Sequence, residues 1–548
     1  MLLLWLSFPP IGFAWMAWFA LLPLVSVVVE PRRLMRGHYW AIWFAGLFYW
    51  LGTFYFIPIP HPLLWFGWLV ISLYLACYLP FFVLSARNLI WRFRIPGLIA
   101  IPIAWTGWEL ARCYLFTGMP LVCLSHTQYL SPTVIQICDL SGSYTLTFAI
   151  SLFTTALYLT FMRRNRLARP AVFPLLVMLA VVGCVAGYGL FQIGQDNRRA
   201  EKPLIVALIQ GSIDTVFPAT KEEAEELFKE KTGQYIELTR KALAQWDDIE
   251  LTVWPENGWP YPDLEPNTDT SKMISGEIRQ YKESTLYIWP SLFTAGQQPP
   301  HFIVGAESYD PVREIRYASA LHISDEAKTV NRYYKKHLVM FGEYVPLAKW
   351  IPVLQQFPAI GTGLQAGEDP VSMNIDNKKI APSICFESTV PHFIRNQVNQ
   401  LTENGDEPDI LVNITNDGWF YGTSCLDFHL ACNVFRAVEM RKPHLVCANT
   451  GLSAVINEKG EIEQQGPRRA TAVLRTEVIP VDKDSPYRSI GDTIPIVFAA
   501  ISALAWLVGM FVTLPAAQQH QSDQVIGTAA DPPTGPGNQH SPDQHNDQ

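Results

Sequence analysis

Lys379–Val390 reads KIAPSICFESTV, an apolar strand-like run ending in Cys385, with a carboxylate, Glu387, two residues beyond. In α/β proteins the chemistry sits at the carboxyl ends of strands, so the position of this cysteine is as informative as its identity. Taken alone, such a cysteine is more often a buried strand residue than a nucleophile. Two upstream stretches change its weight. Leu251–Trp254 is a short strand stopped by Pro255, with Glu256 at its end in VWPENGW; Thr329–Tyr334 leads into Lys335 in YYKKHLVMFGEY, where Glu343 follows. A thiol becomes a nucleophile toward carbonyls when a base or cation lies beside it. A glutamate and a lysine at strand ends supply both, although residue type alone leaves Lys336 as open as Lys335.

Outward from these strand ends, residues 202–484 alternate short apolar strands with amphipathic helices. Leu204–Gln210, Ser284–Pro290, His301–Ala306, Tyr317–Ser324 and Asp409–Ile414 read as further strands, and Lys221–Asp248 has apolar residues at helical spacing. Cys425–Met440 predicts a helix and His444–Ala448 a strand, while Ala454–Asn457 and Thr471–Ile479, with a turn at Lys459 and Gly460, predict a closing hairpin. The pattern predicts an α/β layered sandwich. Lys335–Gly367 departs from it, being punctuated by Pro346, Pro352 and Pro358 yet dense in apolar side chains from 338 to 358. Such a loop either packs under its domain or touches something apolar outside, and lipid contact is the expectation beside a bilayer.

The rest of the chain makes a bilayer the expected neighbour. Of 548 residues, 49% are hydrophobic and 16% charged, averages that merge two unlike halves. Residues 1–194 are nearly continuous apolar runs: Ile11–Val29, Tyr39–Ile57, Leu63–Leu84, Ile95–Cys113, Leu146–Met162 and Val172–Ile193, with a seventh at Thr493–Leu514. Runs near 20 residues predict transmembrane helices, hence a multi-span domain over 1–194, a polar domain over 202–484 and a C-terminal helix at 493–514. Met1–Ser7 resembles the end of a helix that begins earlier. Residues 518–548 have a disordered composition.

Loop charge predicts orientation. Arg32, Arg33 and Arg36, then Arg87, Arg92 and Arg94, then Arg163, Arg164, Arg166 and Arg169 follow alternate runs, whereas the intervening short loops carry neither Lys nor Arg. Such loops face the cytoplasm, which puts the polar domain outside; Arg198, Arg199 and Lys202 run against this, but long translocated domains are largely exempt. Inside the spans, Glu109 and Arg112 stand three apart and are expected to pair, either locking helices or touching substrate. Asp139 with Ser141, Gly142 and Ser143 is too polar for lipid and predicts a re-entrant or interfacial lip. The net charge of −8 offers no basic footprint for nucleic acid. The nine cysteines form no CxxC or zinc spacing, and Cys385, Cys425, Cys432 and Cys447 permit a disulfide without announcing one.

WPEN, YYKKHLVMFGEY and SICFES, in this order, resemble the nitrilase (carbon-nitrogen hydrolase) superfamily. With SFPPIGFAWMAWFALLPL, WTGWELARCYLFTGMPLVCLSHTQY and IQICDLSGSY ahead of them and TNDGWF and FRAVEMRKPHLVCANTG behind, the chain resembles the apolipoprotein N-acyltransferase family over residues 1 to about 514. The resemblance implies an α-helical transmembrane bundle plus a nitrilase-like α-β-β-α sandwich. It further implies Glu256 as general base, Lys335 as stabiliser of the tetrahedral intermediate and Cys385 as nucleophile, with Glu343 and Glu387 in support; Lys335 is the lysine at the family's spacing, eight before Glu343. The implied reaction is ping-pong transfer of a phospholipid acyl chain to the α-amino group of an S-diacylglyceryl-cysteine on an apolipoprotein, the last step of bacterial lipoprotein maturation, in the inner membrane with the catalytic domain outside. It implies no cofactor and no metal. Phe386, where the family has tyrosine, Phe217 in place of an expected tryptophan, and Met119 before Pro120 are departures. A membrane-tethered amidase acting on a small amide, or an inactive lipoprotein-binding scaffold, is the alternative.

Overall fold

The computed structural model describes residues 1–511 apart from 63, 163–171, 216–219, 261, 267, 269–283, 294–296, 341 and 345–362. Outside the described residues lie the arginine cluster at 163–169, Phe217, most of the apolar stretch 338–358, and the tail 518–548.

Among the described residues four helices are long and apolar enough to cross a membrane: Leu64–Trp91, Ser143–Phe161, Val172–Ile193 and Thr493–Phe511. Arg36–Thr53 and Gly97–Tyr114 run beside them. The first apolar run does not form a full span. It breaks into a 3₁₀ turn at Ala14–Met16 and helices at Ala17–Ala20 and Leu22–Val29, the last starting with Pro23 in its first turn, where a missing N–H costs nothing. Thr493–Phe511 packs between Tyr78–Trp91 and Gly97–Tyr114. Close contact there depends on a small residue, since a Cβ on Gly107 would stand 2.6 Å from the Phe498 carbonyl oxygen. Ser85 Oγ donates to the Ser502 carbonyl at 2.9 Å and Asn88 Nδ2 to that of Ala505 at 3.1 Å.

Glu109 and Arg112 do not pair with each other. Glu109 accepts from Thr147 Oγ1 at 2.5 Å and from the Leu124 amide at 2.9 Å. Arg112 donates to the carbonyls of Met119 and Leu121 at 2.8 and 2.7 Å. Each therefore fastens a different end of the 119–124 segment. An (i, i+3) spacing permits a pair but does not outcompete unsatisfied backbone groups in an apolar interior.

Among the described residues the sandwich has thirteen strands: β1 (Leu204–Gln210), β2 (Leu251–Val253), β3 (Asp263–Leu264), β4 (His301–Asp310), β5 (Ile315–Ile323), β6 (Thr329–Tyr334), β7 (Met373–Ile375), β8 (Lys378–Ile384), β9 (Ile410–Thr415), β10 (His444–Ala448), β11 (Ala454–Ile456), β12 (Ile462–Gln465) and β13 (Ala472–Val478). One sheet runs β13-β1-β2-β4-β5-β6 with β3 beside β4; the other runs β12-β11-β10-β9-β8-β7. The central strands are parallel, β1-β2-β4 in one sheet and β8-β9-β10 in the other, whereas β6 pairs antiparallel with β5. Their inner faces meet in a core containing Val206, Leu208, Val253, Ile384, Val412 and Leu445. Helices Lys221–Gln245 and Ser284–Leu292 cover one outer face and Pro391–Glu403 the other, giving the α-β-β-α order. Thr220 caps the first of these helices by accepting from the Glu223 amide at 3.2 Å.

Two elements differ from the sequence-based expectation. Ser284–Pro290 is helical, within Ser284–Leu292, with Ile288 and Leu292 buried one turn apart. Its short β-branched and aromatic run carries no periodicity that separates strand from helix. The segment expected to close a hairpin, β13, instead pairs antiparallel with β1 of the opposite sheet, Leu204 against Val478, and β12 takes the hairpin position beside β11.

The sandwich is docked on the membrane helices through Cys425–Met440. Phe428, Cys432 and Phe435 share a hydrophobic core with the N-terminal helices; Phe428 lies edge-on to Phe8 at 6.1 Å, and Phe435 lies 5.0 Å from the His126 ring. The expected lip at 139–143 is the polar part of this joint. Asp139, fully buried, receives Arg441 Nη2 at 2.5 Å and Nε at 3.0 Å, as well as the Tyr188 hydroxyl at 2.8 Å.

Candidate active site

The carboxyl ends of β2, β6 and β8 bring together the buried Glu256 and Lys335 and the half-buried Cys385. Glu256 follows Pro255 at the end of β2, and Asn257 beyond it takes φ = 54°. Room for this turn comes from Gly305 on β4, where a Cβ would stand 2.5 Å from the Glu256 Cα and 2.5 Å from the Pro255 carbonyl oxygen. The Glu256 carboxylate is held from both sheets. Its Oε1 accepts from Lys335 Nζ at 3.3 Å and its Oε2 from the Asn416 amide, just past β9, at 3.0 Å.

Lys335, the residue after β6, is fully buried. Its backbone continues the sheet through an amide bond to the Ala318 carbonyl at 2.8 Å. The ammonium lies between two carboxylates, Glu256 at 3.3 Å and Glu343 at 2.5 Å, and the far Glu343 oxygen accepts from the Val339 amide at 2.9 Å. Burial disfavours the Lys335 charge, but Glu256, the Cys385 sulfur and Glu343 outweigh it and hold the ammonium well above the usual lysine range. The lysine is a fixed cation, not a proton carrier.

Cys385 sits at the first position of a 3₁₀ turn, Cys385–Thr389, with φ = 53°. A left-handed conformation in a residue with a Cβ is strained and persists only where its surroundings over-determine it. They do so here. Three donors converge on the Cys385 carbonyl: Asn413 Nδ2 at 3.2 Å, His429 Nε2 at 3.1 Å and Ser388 Oγ at 3.3 Å. Burial pushes the thiol well above its ordinary range and the Glu256 charge adds to this, with Lys335 opposing, so the resting sulfur is protonated. Burial likewise raises Glu256 above the usual carboxylate range, against the pull of Lys335. A carboxylate of raised basicity beside a protonated thiol and a fixed cation is suited to removing the thiol proton as the sulfur attacks.

Glu387 ties the lysine and cysteine segments together. One oxygen accepts from the amides of Lys336 at 2.6 Å and His337 at 3.0 Å, the other from the Ile384 amide at 2.7 Å and the Tyr333 hydroxyl at 2.9 Å. Burial lifts it to about 7 against these donors. Phe386 projects from the same turn, stacked on the His337 ring at 6.0 Å.

Sequence reading missed the groups behind the nucleophile turn. Asp417 lies in the TNDGWF stretch after β9 and His429 within helix Cys425–Met440, and they come together at 3.1 Å. Neither carries a local signal, because the contact joins the turn after β9 to a helix face. The nine cysteines are all free.

Comparison with known proteins covers both halves. Residues 2–156 match the family model described as the apolipoprotein N-acyltransferase N-terminal domain, and residues 205–482 match the carbon-nitrogen hydrolase model. Apolipoprotein N-acyltransferase of Geobacter metallireducens is 31% identical over 507 residues, covering 89% of this chain and 90% of its own; that of Rhodopirellula baltica is 26% identical, covering 92% and 95%. Among solved structures, Saccharomyces cerevisiae Nit3, a member of branch 10 of the nitrilase superfamily, aligns with 55% of this chain and 97% of its own at 13% identity and a TM-score of 0.36. With curated relatives matched along nearly the whole chain, the protein belongs to the apolipoprotein N-acyltransferase family and is an acyltransferase that joins a helical membrane part to a carbon-nitrogen hydrolase domain.

Proposed function

We propose that this enzyme transfers a fatty acyl chain from a membrane phospholipid to the N-terminal α-amino group of an S-diacylglyceryl-cysteine on an apolipoprotein, through a thioester on Cys385. The observation that carries the reading is the buried Lys335–Glu256 pair, with the half-buried Glu343 on the same ammonium, beside a strained cysteine turn in a domain docked on apolar helices. In the first half-reaction Glu256 accepts the Cys385 proton while the sulfur attacks the acyl ester carbonyl. The Lys335 ammonium offsets the charge on the tetrahedral oxygen. Collapse breaks the ester C–O bond, Glu256 returns the proton to the departing lysophospholipid oxygen, and the thioester remains. In the second, the lipoprotein α-amino group attacks the thioester, Glu256 takes its proton, the C–S bond breaks, and the sulfur recovers the proton. Glu343 fixes Lys335, and Glu387 fixes the backbone on both sides of the cluster.

Both substrates are lipid-anchored, which accounts for a catalytic domain set against membrane helices. The alternating arginine loops support an inner-membrane placement with residues 202–484 extracytoplasmic and residues 1–194 and 493–514 in the bilayer. The test is mass spectrometry of the full-length protein after mixing with phospholipid vesicles. The expected result is a fatty-acyl adduct on Cys385 that is discharged by a diacylglyceryl-cysteine peptide and absent in Cys385→Ala. Equal behaviour of wild type and Cys385→Ala refutes the mechanism, and discharge by water alone at the same rate points to a hydrolase.

A further inference from the structure

His429 projects from helix Cys425–Met440 to the back of the nucleophile turn and is 6% exposed. Its Nδ1 lies 3.1 Å from Asp417 Oδ1, and its Nε2 lies 3.1 Å from the Cys385 carbonyl oxygen and 3.1 Å from Ser388 Oγ. Asp417 and the Cys385 carbonyl both call for donors, while the Ser388 hydroxyl can accept from Nε2 or donate to it. A carboxylate and a peptide carbonyl only accept, so the ring satisfies both when each nitrogen carries a hydrogen. Ser388 Oγ, 3.3 Å from the same carbonyl, is a second donor to it beside the ring.

We propose that His429, oriented by Asp417, is a positioning residue for the acyl-transfer nucleophile: its Nε2–H grips the Cys385 carbonyl and holds the left-handed backbone that presents the thiol. The contact acts on the atom that matters for this purpose. The φ of 53° at Cys385 is maintained against its steric cost by the bonds on its carbonyl; Asn413 Nδ2 is anchored there by Ser383 Oγ at 3.0 Å, and His429 is held in orientation from behind by the Asp417 carboxylate. Burial lowers the basicity of the imidazole, but Asp417 more than compensates, and the ring is held above the ordinary histidine range. The other titratable groups acting on it are Glu256, from the turn after β2, and His444, on β10. This role rests on Cys385 being the nucleophile.

The experiment compares His429→Leu, His429→Gln and Asp417→Asn with wild type in full-length enzyme, using phospholipid vesicles and a diacylglyceryl-cysteine peptide. His429→Leu removes the donor. The expected result is a fall in kcat on the order of 10²-fold, the scale of a misplaced reacting group, with KM for the peptide within about twofold and a matching slowdown of iodoacetamide labelling at Cys385. His429→Gln, whose amide nitrogen reaches the same carbonyl, recovers at least about tenfold of that loss; a merely space-filling histidine predicts no such recovery. If His429→Leu fails to fold, the Gln and Asn variants decide: His429→Gln close to wild type, with Asp417→Asn lower in kcat at unchanged KM, supports positioning. Wild-type kcat in His429→Leu, or equal losses in His429→Leu and His429→Gln, overturns it. The Cys385 acyl adduct is recorded in parallel. Its absence from the wild-type protein refutes the proposed mechanism itself, whereas its presence with an indifferent His429 refutes only the positioning role.

Discussion

Gly305→Ala tests whether the placement of Glu256, and not merely its presence, governs the reaction. The side chain added at 305 would stand 2.5 Å from the Glu256 Cα, against the roughly 3.5 Å that two carbon atoms need. One of the two backbones must therefore move by about 1 Å. β4 is paired with β5 from Phe302 to Asp310 and with β2 at His301–Ile303, whereas among the described residues the backbone of the Glu256 turn is bonded to β4 through Trp254 and Trp259, so the turn is the part that yields. Glu256 is already 3.3 Å from Lys335; a further 1 Å takes that contact to about 4 Å, beyond hydrogen-bond range. The expected stability loss is that of ordinary overpacking, about 1–3 kcal/mol, and the expected loss in acyl-transfer kcat is on the order of 10²-fold. Thermal unfolding in detergent and steady-state acyl transfer measure the two quantities on the same preparation. A Gly305→Ala enzyme that folds with a normal melting temperature and retains full kcat would show that the strand does yield, and that the crowding argument is wrong.

Three further outcomes follow from the same geometry. Lys335→Met strips the cation from between Glu256 and Glu343, and breaking a buried pair in this way costs about 3–5 kcal/mol; the melting temperature should drop and the Cys385 acyl adduct should vanish from the mass spectrum, and persistence of the adduct would remove Lys335 from the mechanism. Because burial and Glu256 raise the Cys385 thiol well above its ordinary range, iodoacetamide labelling without substrate should be slow at pH 7 and still rising with pH above about 9, so a plateau between pH 6 and 8 would contradict a protonated resting thiol. Arg441→Met leaves Asp139 buried without its cation at the joint between the two parts, at about 3–5 kcal/mol; adding Asp139→Asn should recover part of that loss, and strict additivity of the two in thermal unfolding would mean they do not interact.

The legible parts of this molecule are those whose signal is local. Cys425–Met440 is apolar at helical spacing between a loop and a buried strand, and both its ends are read correctly. The β2 end is marked by Pro255, the β6 end by the Lys335–Lys336 pair and the β8 end by the carboxylate of Glu387 shortly after Cys385, which places Glu256, Lys335 and Cys385 at strand termini from sequence alone. Pairing between distant segments is not marked in this way. Nothing in AVLRTEV distinguishes a hairpin partner of β11 from the β1 partner that β13 proves to be, because both offer an alternating strand. The buried polar groups follow the same rule. Glu109 and Arg112 are conspicuous, but their acceptors and donors come from the 119–124 segment and from Thr147, and three-residue spacing suggests a pair that the fold does not make. Asp139 reads as misplaced polarity until Arg441 arrives from 302 residues away.

Helix Cys425–Met440 makes the membrane part and the nucleophile turn a single mechanical unit. Its Cys425, Phe428, Cys432 and Phe435 recur at helical spacing in the core shared with the N-terminal helices. His429, about 100° further round the helix than Phe428, faces the Cys385 carbonyl. A second line of contacts runs parallel to the first. The Ser143 amide, at the head of a membrane helix, donates to Glu439 at 2.8 Å; Glu439 pairs with Arg436 at 2.8 Å; and Arg436 reaches the carbonyl of Thr389, the last residue of the nucleophile turn, at 3.4 Å. A flexible tether would have served to keep a catalytic domain near a bilayer. Two buried connections through one helix do more, because they set the height and tilt of the cysteine turn relative to the spanning helices. On the reaction proposed above, donor and acceptor both lie in the bilayer, and a cysteine held at a fixed depth by Arg436, Glu439 and Arg441, each 0–1% exposed, is what that reaction calls for.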